Sequence, residues 1–363
     1  MSYIDYRSEY SKLEFIGVIM TYRAISLFSG CGGMDVGAHQ AGFQIVAASE
    51  LNKHACSTFR TNHPNVELIE GDVDEKKDEI CKYDDIDLVF GGPPCQGFSV
   101  AGKMSPDDPR SKLVFSFCDV VERVSPHVFV LENVKALGLL AKFESVRSEI
   151  IKRMSLAGYE TNFFILNSRD YGVPQNRERV FFIGTKAKMK PVKLKYIEQQ
   201  KSEASTLREA IYHLGPAGSQ GNPNITKAKI TLAANPIMRR SPYAGMMFNG
   251  QGRPLNPDAW SSTLPASMGG NRTPIIDEDH LYNNKPSWVE AYHSKLIEGE
   301  IKGSFGEAPK RLRRMTIDEA AIIQTFPTDY VFEGPQSSVF SQIGNAVPPL
   351  MSFMIAKSIR KTI

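Results

Sequence analysis

The segment Gly91-Gly92-Pro93-Pro94-Cys95-Gln96-Gly97-Phe98-Ser99 puts a thiol directly after a short apolar run, in a loop stiffened by two prolines. A cysteine held this way can serve as a nucleophile if its surroundings raise the small thiolate fraction that a free thiol has near neutral pH. A buried structural cysteine is the competing reading, and the flanking prolines and glycines argue against it. Further on, Leu131-Glu132-Asn133-Val134 ends another apolar run on a carboxylate. Packing explains such a residue poorly, so Glu132 is expected to be paired or functional, with helix capping by Glu132 or Asn133 as the alternative. Tyr171-Gly172-Val173-Pro174-Gln175-Asn176-Arg177-Glu178-Arg179 carries two arginines two apart, just before a strand, so both can face one side. One could hold a carboxylate or a base oxygen and the other a phosphate. Surface salt bridging is the plainer alternative.

A second group of residues suits a ligand rather than a reaction. Phe28-Ser29-Gly30-Cys31-Gly32-Gly33 lies between a strand and a helix. Glycines there let a ligand approach the backbone, and the helix start offers free N–H groups. Glu50 closes the next apolar run, where a carboxylate would accept bonds from ribose hydroxyls. Asp72, in Gly71-Asp72-Val73, falls in the following loop and suits an adenine amino group. A nicotinamide dinucleotide fingerprint wants glycine at its sixth position, which counted from Gly30 is Asp35, so an adenosine ligand fits better. Cys31 reads as a small loop residue. Gln342-Ile343-Gly344-Asn345-Ala346-Val347-Pro348-Pro349 by itself says only turn and helix start.

These segments must be positioned by alternating strands and helices. Apolar runs at 24–28, 44–49, 86–90, 127–131, 163–166 and 180–183 read as strands, and 34–42, 53–62, 113–124 and 146–157 read as helices. That rhythm predicts an α/β fold with a largely parallel sheet covered on both faces, its carboxyl edge carrying the loops named above. From 191 to about 310 the rhythm gives way to a stretch rich in Gly, Pro, Asn and Ser. Thr316-Ile317-Asp318-Glu319 makes a capping box for a helix reaching about 325, and a last helix is expected over 350–361.

The 363 residues, 42% hydrophobic and 23% charged, suit one large domain plus a smaller one and exclude disorder as the main state. A net charge of +3 neither demands nor excludes nucleic acid, and the clusters Lys310-Arg311-Leu312-Arg313-Arg314 and Met238-Arg239-Arg240 read alone as solvated basic faces. Five cysteines without a Cys-x-x-Cys pair argue against a disulfide framework or zinc ribbon and fit a reducing cytosol. No run of 18 apolar residues predicts a membrane span, and no signal-peptide pattern opens the chain. Met20 stands just before the first strand, so residues 1–19 read as an upstream extension or Met20 as the start.

Taken in order, Phe-x-Gly-x-Gly-Gly, Pro-Pro-Cys-Gln, Glu-Asn-Val, Gln-x-Arg-x-Arg and Gly-Asn-Ala-Val-Pro-Pro resemble the cytosine-5 DNA methyltransferase family, of the bacterial or phage restriction–modification type. The match covers roughly 22–190 and 310–360. The resemblance implies a Rossmann-like S-adenosylmethionine-dependent methyltransferase fold with a smaller irregular target-recognition domain. It implies that Cys95 adds to carbon 6 of cytosine, that Glu132 bonds or protonates the ring at nitrogen 3 and the amino group, and that Arg179 orients the base oxygen and Glu132, with Arg177 as its partner. S-adenosyl-L-methionine, leaving as S-adenosyl-L-homocysteine, would be surrounded by Phe28, Ser29, Gly30, Cys31, Gly32, Gly33, Glu50, Leu51, Asp72, Val73, Pro93, Asn345 and Val347, with no metal. Leu51 stands where the family often has an aromatic, so stacking on the adenine would be weaker.

Double-stranded DNA is the implied partner, met by Gln96, Ser99 and Arg110 of a mobile catalytic loop. In the recognition region, where Thr263-Leu264-Pro265-Ala266 resembles the family's Thr-Leu signature, Gln251, Arg253 and Arg272 are expected contacts. Arg311, Arg313 and Arg314 resemble a hinge motif that organises this domain, some of them meeting phosphate. The implied division is an N-terminal extension (1–20), a catalytic cofactor-binding domain (21–190), a target-recognition domain with hinge (191–335) and a C-terminal segment packing back on the catalytic domain (336–363). A cytoplasmic monomer is expected, accompanied in function by a cognate restriction endonuclease or acting alone. A transfer-RNA cytosine methyltransferase, a catalytically silent DNA-binding relative and a nicotinamide-dependent dehydrogenase are the alternatives. The long 191–310 segment disfavours the first, the full set of motif residues the second, and the Pro-Pro-Cys loop the third.

Overall fold

The computed structural model describes residues 22–94 and 112–363. Among these, seven strands build the main sheet: β1 (Tyr22–Leu27), β2 (Phe43–Glu50), β3 (Glu67–Glu70), β4 (Leu88–Gly91), β5 (Val128–Val134), β6 (Tyr159–Asn167) and β7 (Glu178–Lys186). Their order is β3-β2-β1-β4-β5-β7-β6. β1 pairs in parallel with β2 and β4, β2 with β3, and β4 with β5, whereas β7 runs antiparallel to β5 and β6. The sheet is therefore largely parallel with one reversed strand. No long crossover helix separates β6 from β7, so the chain turns back and inserts beside β5. The order changes direction between β1 and β4, and the carboxyl edge at such a point is where open α/β sheets hold their ligands.

β4 and β5 are buried along nearly their whole length, which is why they read as unbroken apolar runs. Helices α1 (Gly33–Gln40), α2 (Lys53–Asn62), α3 (Leu113–Val124) and α4 (Glu144–Leu156) flank the sheet. One core joins Leu27, Val89 and Leu131 to Phe117 of α3 and Ile150 of α4. The other joins Ala24, Phe43, Phe90 and Val130 to Met351 and Ile355, far along the chain.

The region after β7 has its own frame. Strands β8 (Thr231–Ile237), β9 (Met246–Phe248) and a short β11 (Gly306–Glu307) form one small sheet, and β10 (Ile275–Asp277) with β12 (Leu312–Arg314) another. Helix α5 (Trp288–Ile297) packs Val289 and Tyr292 against Met247 and Ile275. Helix α6 (Ile317–Ile323) starts at the expected capping box, with Glu319 N donating to Thr316 Oγ1 at 3.2 Å and Thr316 N donating to the Glu319 carboxylate at 2.9 Å. The C-terminal residues split between the two frames. Helix α7 (Gln336–Asn345) joins Leu264, Ile276 and Ile323 in the small core through Val339, Phe340 and Ile343. Helix α8 (Pro349–Ile359) instead covers the sheet beside α1. Within Gln336–Ile359 an 18-residue window reaches a mean hydropathy of 1.2, but the stretch is broken around Pro348 and 67% of that window is buried in the protein, so its apolar character belongs to the two cores.

Candidate active site

At the end of β1 the chain enters left-handed conformations at Phe28 (φ 53), Gly30 (φ 58) and Gly32 (φ 89). A side chain at such an angle costs about 1–2 kcal/mol, and Phe28 is retained there by packing against the first core. A Cβ at Gly30 would meet nothing within 4 Å among the described residues. Glu50 braces the turn: its Oε2 accepts from Gly30 N at 2.8 Å, and its Oε1 accepts from Leu51 N at 2.9 Å and Asn52 N at 2.7 Å. A carboxylate offers about four acceptor positions, so capacity for a hydroxyl remains. Leu51, 65% exposed, stands beside it. Gly71 N donates to Glu50 O at 3.0 Å, which brings Asp72 to the neighbouring strand end.

Several expected ligand residues turn their side chains away. Ser29 Oγ lies 3.3 Å from Ser26 O and 3.2 Å from Ser49 O, so its hydroxyl points into the protein. Cys31 is buried with its thiol donating to Gln342 O at 3.6 Å, and burial pushes its pKa far up. Val73 is packed in the first core. These three can meet a ligand only through backbone. Gly33 abuts Val347, whose carbonyl a Cβ would approach to 2.6 Å, and this joins the turn to the loop before α8. Asn345 is exposed, with Nδ2 donating to Ser341 Oγ at 3.4 Å.

Cys95, Gln96, Ser99 and Arg110 lie outside the described residues. The root of their loop is described. Asn133 Nδ2 donates to Pro93 O at 3.1 Å, so the end of β5 clamps the proline pair. Asn133 caps no helix. Glu132, also buried, has Oε1 3.0 Å from Arg179 Nε. The ladder explains the pair: Val134 opposes Arg179 and Glu132 opposes Phe181, so Arg179 is the diagonal neighbour of Glu132 on one face. Glu132 Oε2 crowds Gly92, where a Cβ would sit 2.8 Å away. Burial pushes the Glu132 pKa up, while Arg179 first and Arg177 next pull against it. Such a carboxyl keeps an ordered partner and still has raised proton affinity, which suits it to sharing a proton.

Arg177 is buried among backbone carbonyls. It is 1% exposed and donates to Leu264 O (3.3 Å), Gly344 O (3.1 Å) and Asn345 O (3.5 Å). The cause is a long-range pairing: Gln175-Asn176 pairs with Ser261-Ser262 before β7 begins, which brings the next residue to the small domain. Gln175 extends the same tie. Its Nε2 donates to Gln324 Oε1 at 2.5 Å, its Oε1 accepts from Leu264 N at 3.1 Å, and Gln324 Nε2 donates to Ile343 O at 2.9 Å and Ala346 O at 2.6 Å. Nothing in the sequence marks Gln324, which reads there as one more polar helix residue.

In the small domain, Gly252 N donates to Asn271 O at 3.0 Å and so joins two loops. Gln251, Arg253 and Arg272 are exposed on these loops, and neither arginine has an ion-pair partner among the described residues. The arginines before α6 all find partners inside the domain. Arg311 Nε is 2.6 Å from Asp277, Arg313 pairs with Glu278 and Glu319 at 2.9 and 2.6 Å, and buried Arg314 donates to Thr273 O at 2.8 Å. Their charges organise the domain from within.

A family model described as C-5 cytosine-specific DNA methylase matches residues 22–361. Type II methyltransferase M1.HphI of Haemophilus parahaemolyticus is 31% identical over 355 residues, covering 96% of this chain and 89% of that one. Type II methyltransferase M.NgoPII of Neisseria gonorrhoeae is 33% identical over 355 residues, covering 94% and 96%. Among solved structures, a prophage-encoded E. coli protein described as a DNA modification methyltransferase superposes with a TM-score of 0.67 at 23% identity, over 94% of this chain and 99% of that chain, and shares the fold. With the motif-bearing edge of the sheet and a family match along almost its whole length, the chain belongs to the C-5 cytosine-specific DNA methylases and is an enzyme that methylates cytosine in DNA at carbon 5.

Proposed function

We propose that the enzyme acts on one cytosine within a specific double-stranded sequence, through a covalent bond from Cys95, with the base turned out of the helix. Carbon 5 of cytosine is a weak nucleophile. The Cys95 thiolate bonds to carbon 6, Glu132 supplies a proton or hydrogen bond at nitrogen 3, and the ring's electrons collect at carbon 5. S-adenosyl-L-methionine, when bound, supplies the methyl group that carbon 5 accepts. A base then removes the proton from carbon 5, the carbon 6–sulfur bond breaks, and Cys95 leaves as thiolate. Arg179 holds Glu132 and reaches the base oxygen. Turning the base out costs roughly a few kcal/mol, offset by contacts from the recognition domain.

The observation that carries this reading is the buried Glu132–Arg179 pair set against the clamped root of the Pro93-Pro94-Cys95 loop. Backbone of the glycine turn, with Glu50, Leu51 and Asp72, would hold the donor's adenosine. Gln251, Arg253 and Arg272, with Gln96, Ser99 and Arg110, would meet DNA. In this reading residues 21–190 with α8 form the catalytic half, and 191–345 the recognition half. The chain works as a cytoplasmic monomer, and its likeness to Type II methyltransferases supports pairing in function with a restriction endonuclease. The test is duplex DNA carrying 5-fluorocytosine at the target, identified first by bisulfite sequencing of host DNA. The enzyme with methyl donor should form a denaturation-resistant adduct that Cys95→Ser abolishes. Methylation without any adduct, or an adduct surviving in Cys95→Ser, refutes the assignment.

A further inference from the structure

The glycine turn rests on two side chains outside every motif considered so far. Gly32 has no room beneath it: a Cβ there would come within 2.5 Å of His63 Nε2 and 2.7 Å of Tyr330 Oη. Tyr330 donates its hydroxyl proton to the carbonyl of Cys31, and the same oxygen lies 3.1 Å from His63 Nε2. A phenol has one proton. With that proton directed at Cys31, His63 Nε2 must be the donor to Oη, which sets the histidine tautomer. The His63 ring also packs, tilted by 33°, on Phe59 of α2 with ring centroids 4.5 Å apart. Burial first, and His39 next, push its pKa down to about 4, so it is neutral through the physiological range.

Tyr330 lies on residues 326–334, the strap between α6 and α7. That strap is stitched to α2: Val331 N donates to Asn62 Oδ1 at 3.0 Å, Asn62 Nδ2 donates to Val331 O at 2.7 Å, and Glu333 N donates to Thr58 Oγ1 at 2.8 Å. Both helices that hold its ends pack in the small-domain core. The strap thus runs from the recognition half to the floor of the turn.

We propose that Tyr330 and His63 are positioning residues for the methyl donor, fixing the backbone of the 30–32 turn by holding the Cys31 carbonyl. The inference rests on reading that turn as the donor site. It is tested by calorimetry of S-adenosyl-L-homocysteine binding to the full chain without DNA. Tyr330→Phe keeps ring packing on Phe326 (4.9 Å) and Phe332 (5.3 Å) and removes only the hydroxyl. It should weaken binding about 2- to 12-fold, the size of one lost hydrogen bond, and raise KM for the donor while kcat stays within about twofold. Val331→Ala, on the same strap with its side chain exposed and only its backbone bonded to Asn62, should bind as wild type. His63→Gln, which keeps an N–H donor, should bind more tightly than His63→Leu, and this comparison carries the test if Tyr330→Phe folds poorly. Equal affinity of Tyr330→Phe and wild type, or of the two His63 variants, overturns the proposal. Wild-type protein that binds no S-adenosyl-L-homocysteine would instead overturn the assignment of the turn.

Discussion

Asp35 offers the sharpest test of the electrostatics under the turn. It sits in the first turn of α1, fully buried, and neither carboxylate oxygen has a hydrogen-bond partner among the described residues. Burial pushes its pKa from 3.8 up to about 7, the nearby Ser26 hydroxyl pulls against that, and Glu50 adds to it. The native state therefore holds the proton more tightly than the unfolded chain. Stability contributed by that proton is fully present below about pH 4 and is lost as pH rises toward 7. A shift from 3.8 to about 7 corresponds to roughly 4 kcal/mol as an upper limit. Asp35→Asn keeps the shape and removes the ionisation. Urea unfolding of both proteins at about pH 5 and about pH 8, at one ionic strength, isolates the effect because the other titrating groups are shared. The variant should gain stability relative to wild type on going to the higher pH, by a few kcal/mol at most. A difference between the two proteins that stays flat across this interval, or that shrinks with rising pH, refutes the reasoning.

Three further outcomes follow from the site. Asn133→Ala frees the Pro93 carbonyl and should lower single-turnover methylation about 10- to 100-fold through misplacement of the loop, while S-adenosyl-L-homocysteine affinity is unchanged. Arg177→Met leaves buried carbonyls unpaired and should cost about 3 kcal/mol in urea unfolding. At a temperature where both variants are folded, it should keep more activity than Arg179→Met. Arg253→Ala and Arg272→Ala should each reduce the salt slope of DNA binding by about one, whereas Arg313→Ala should leave that slope alone and lower the unfolding midpoint.

Elements with strong local signals were legible in the sequence. Helices α2 and α3 occupy the residues their apolar spacing predicts, and the Thr316 box starts α6. β3 escaped because it is a four-residue edge strand in which only Ile69 is well buried. The reversal of β7 left no trace, since a strand buried between two neighbours has the same apolar run in either direction. Helix α7 escaped because Gln336, Ser337 and Ser338 open it behind Pro335, without a side-chain cap. At the site, residue type and order singled out Glu132 and Arg179, but not their pairing on the sheet face, nor that Arg177 would hold the carbonyls of Leu264 and Gly344. That outcome depends on pairing with Ser261 and Ser262, more than eighty positions along the chain. His63 and Tyr330 were invisible for the same reason, as their contact spans 267 residues.

The position of α8 has a consequence for how the protein is made. The sheet face formed by Ala24, Phe43, Leu88 and Val130 is covered by Met351, Ile355 and Ile359. At a synthesis rate of roughly 5–20 residues per second, that face stays bare for roughly ten to thirty seconds after β7 has emerged from the ribosome. A nascent chain in that interval is a natural client for a chaperone that shields apolar sheet. The Gly33–Val347 contact waits for the same late residues, so the glycine turn gains its neighbour and the sheet its cover together.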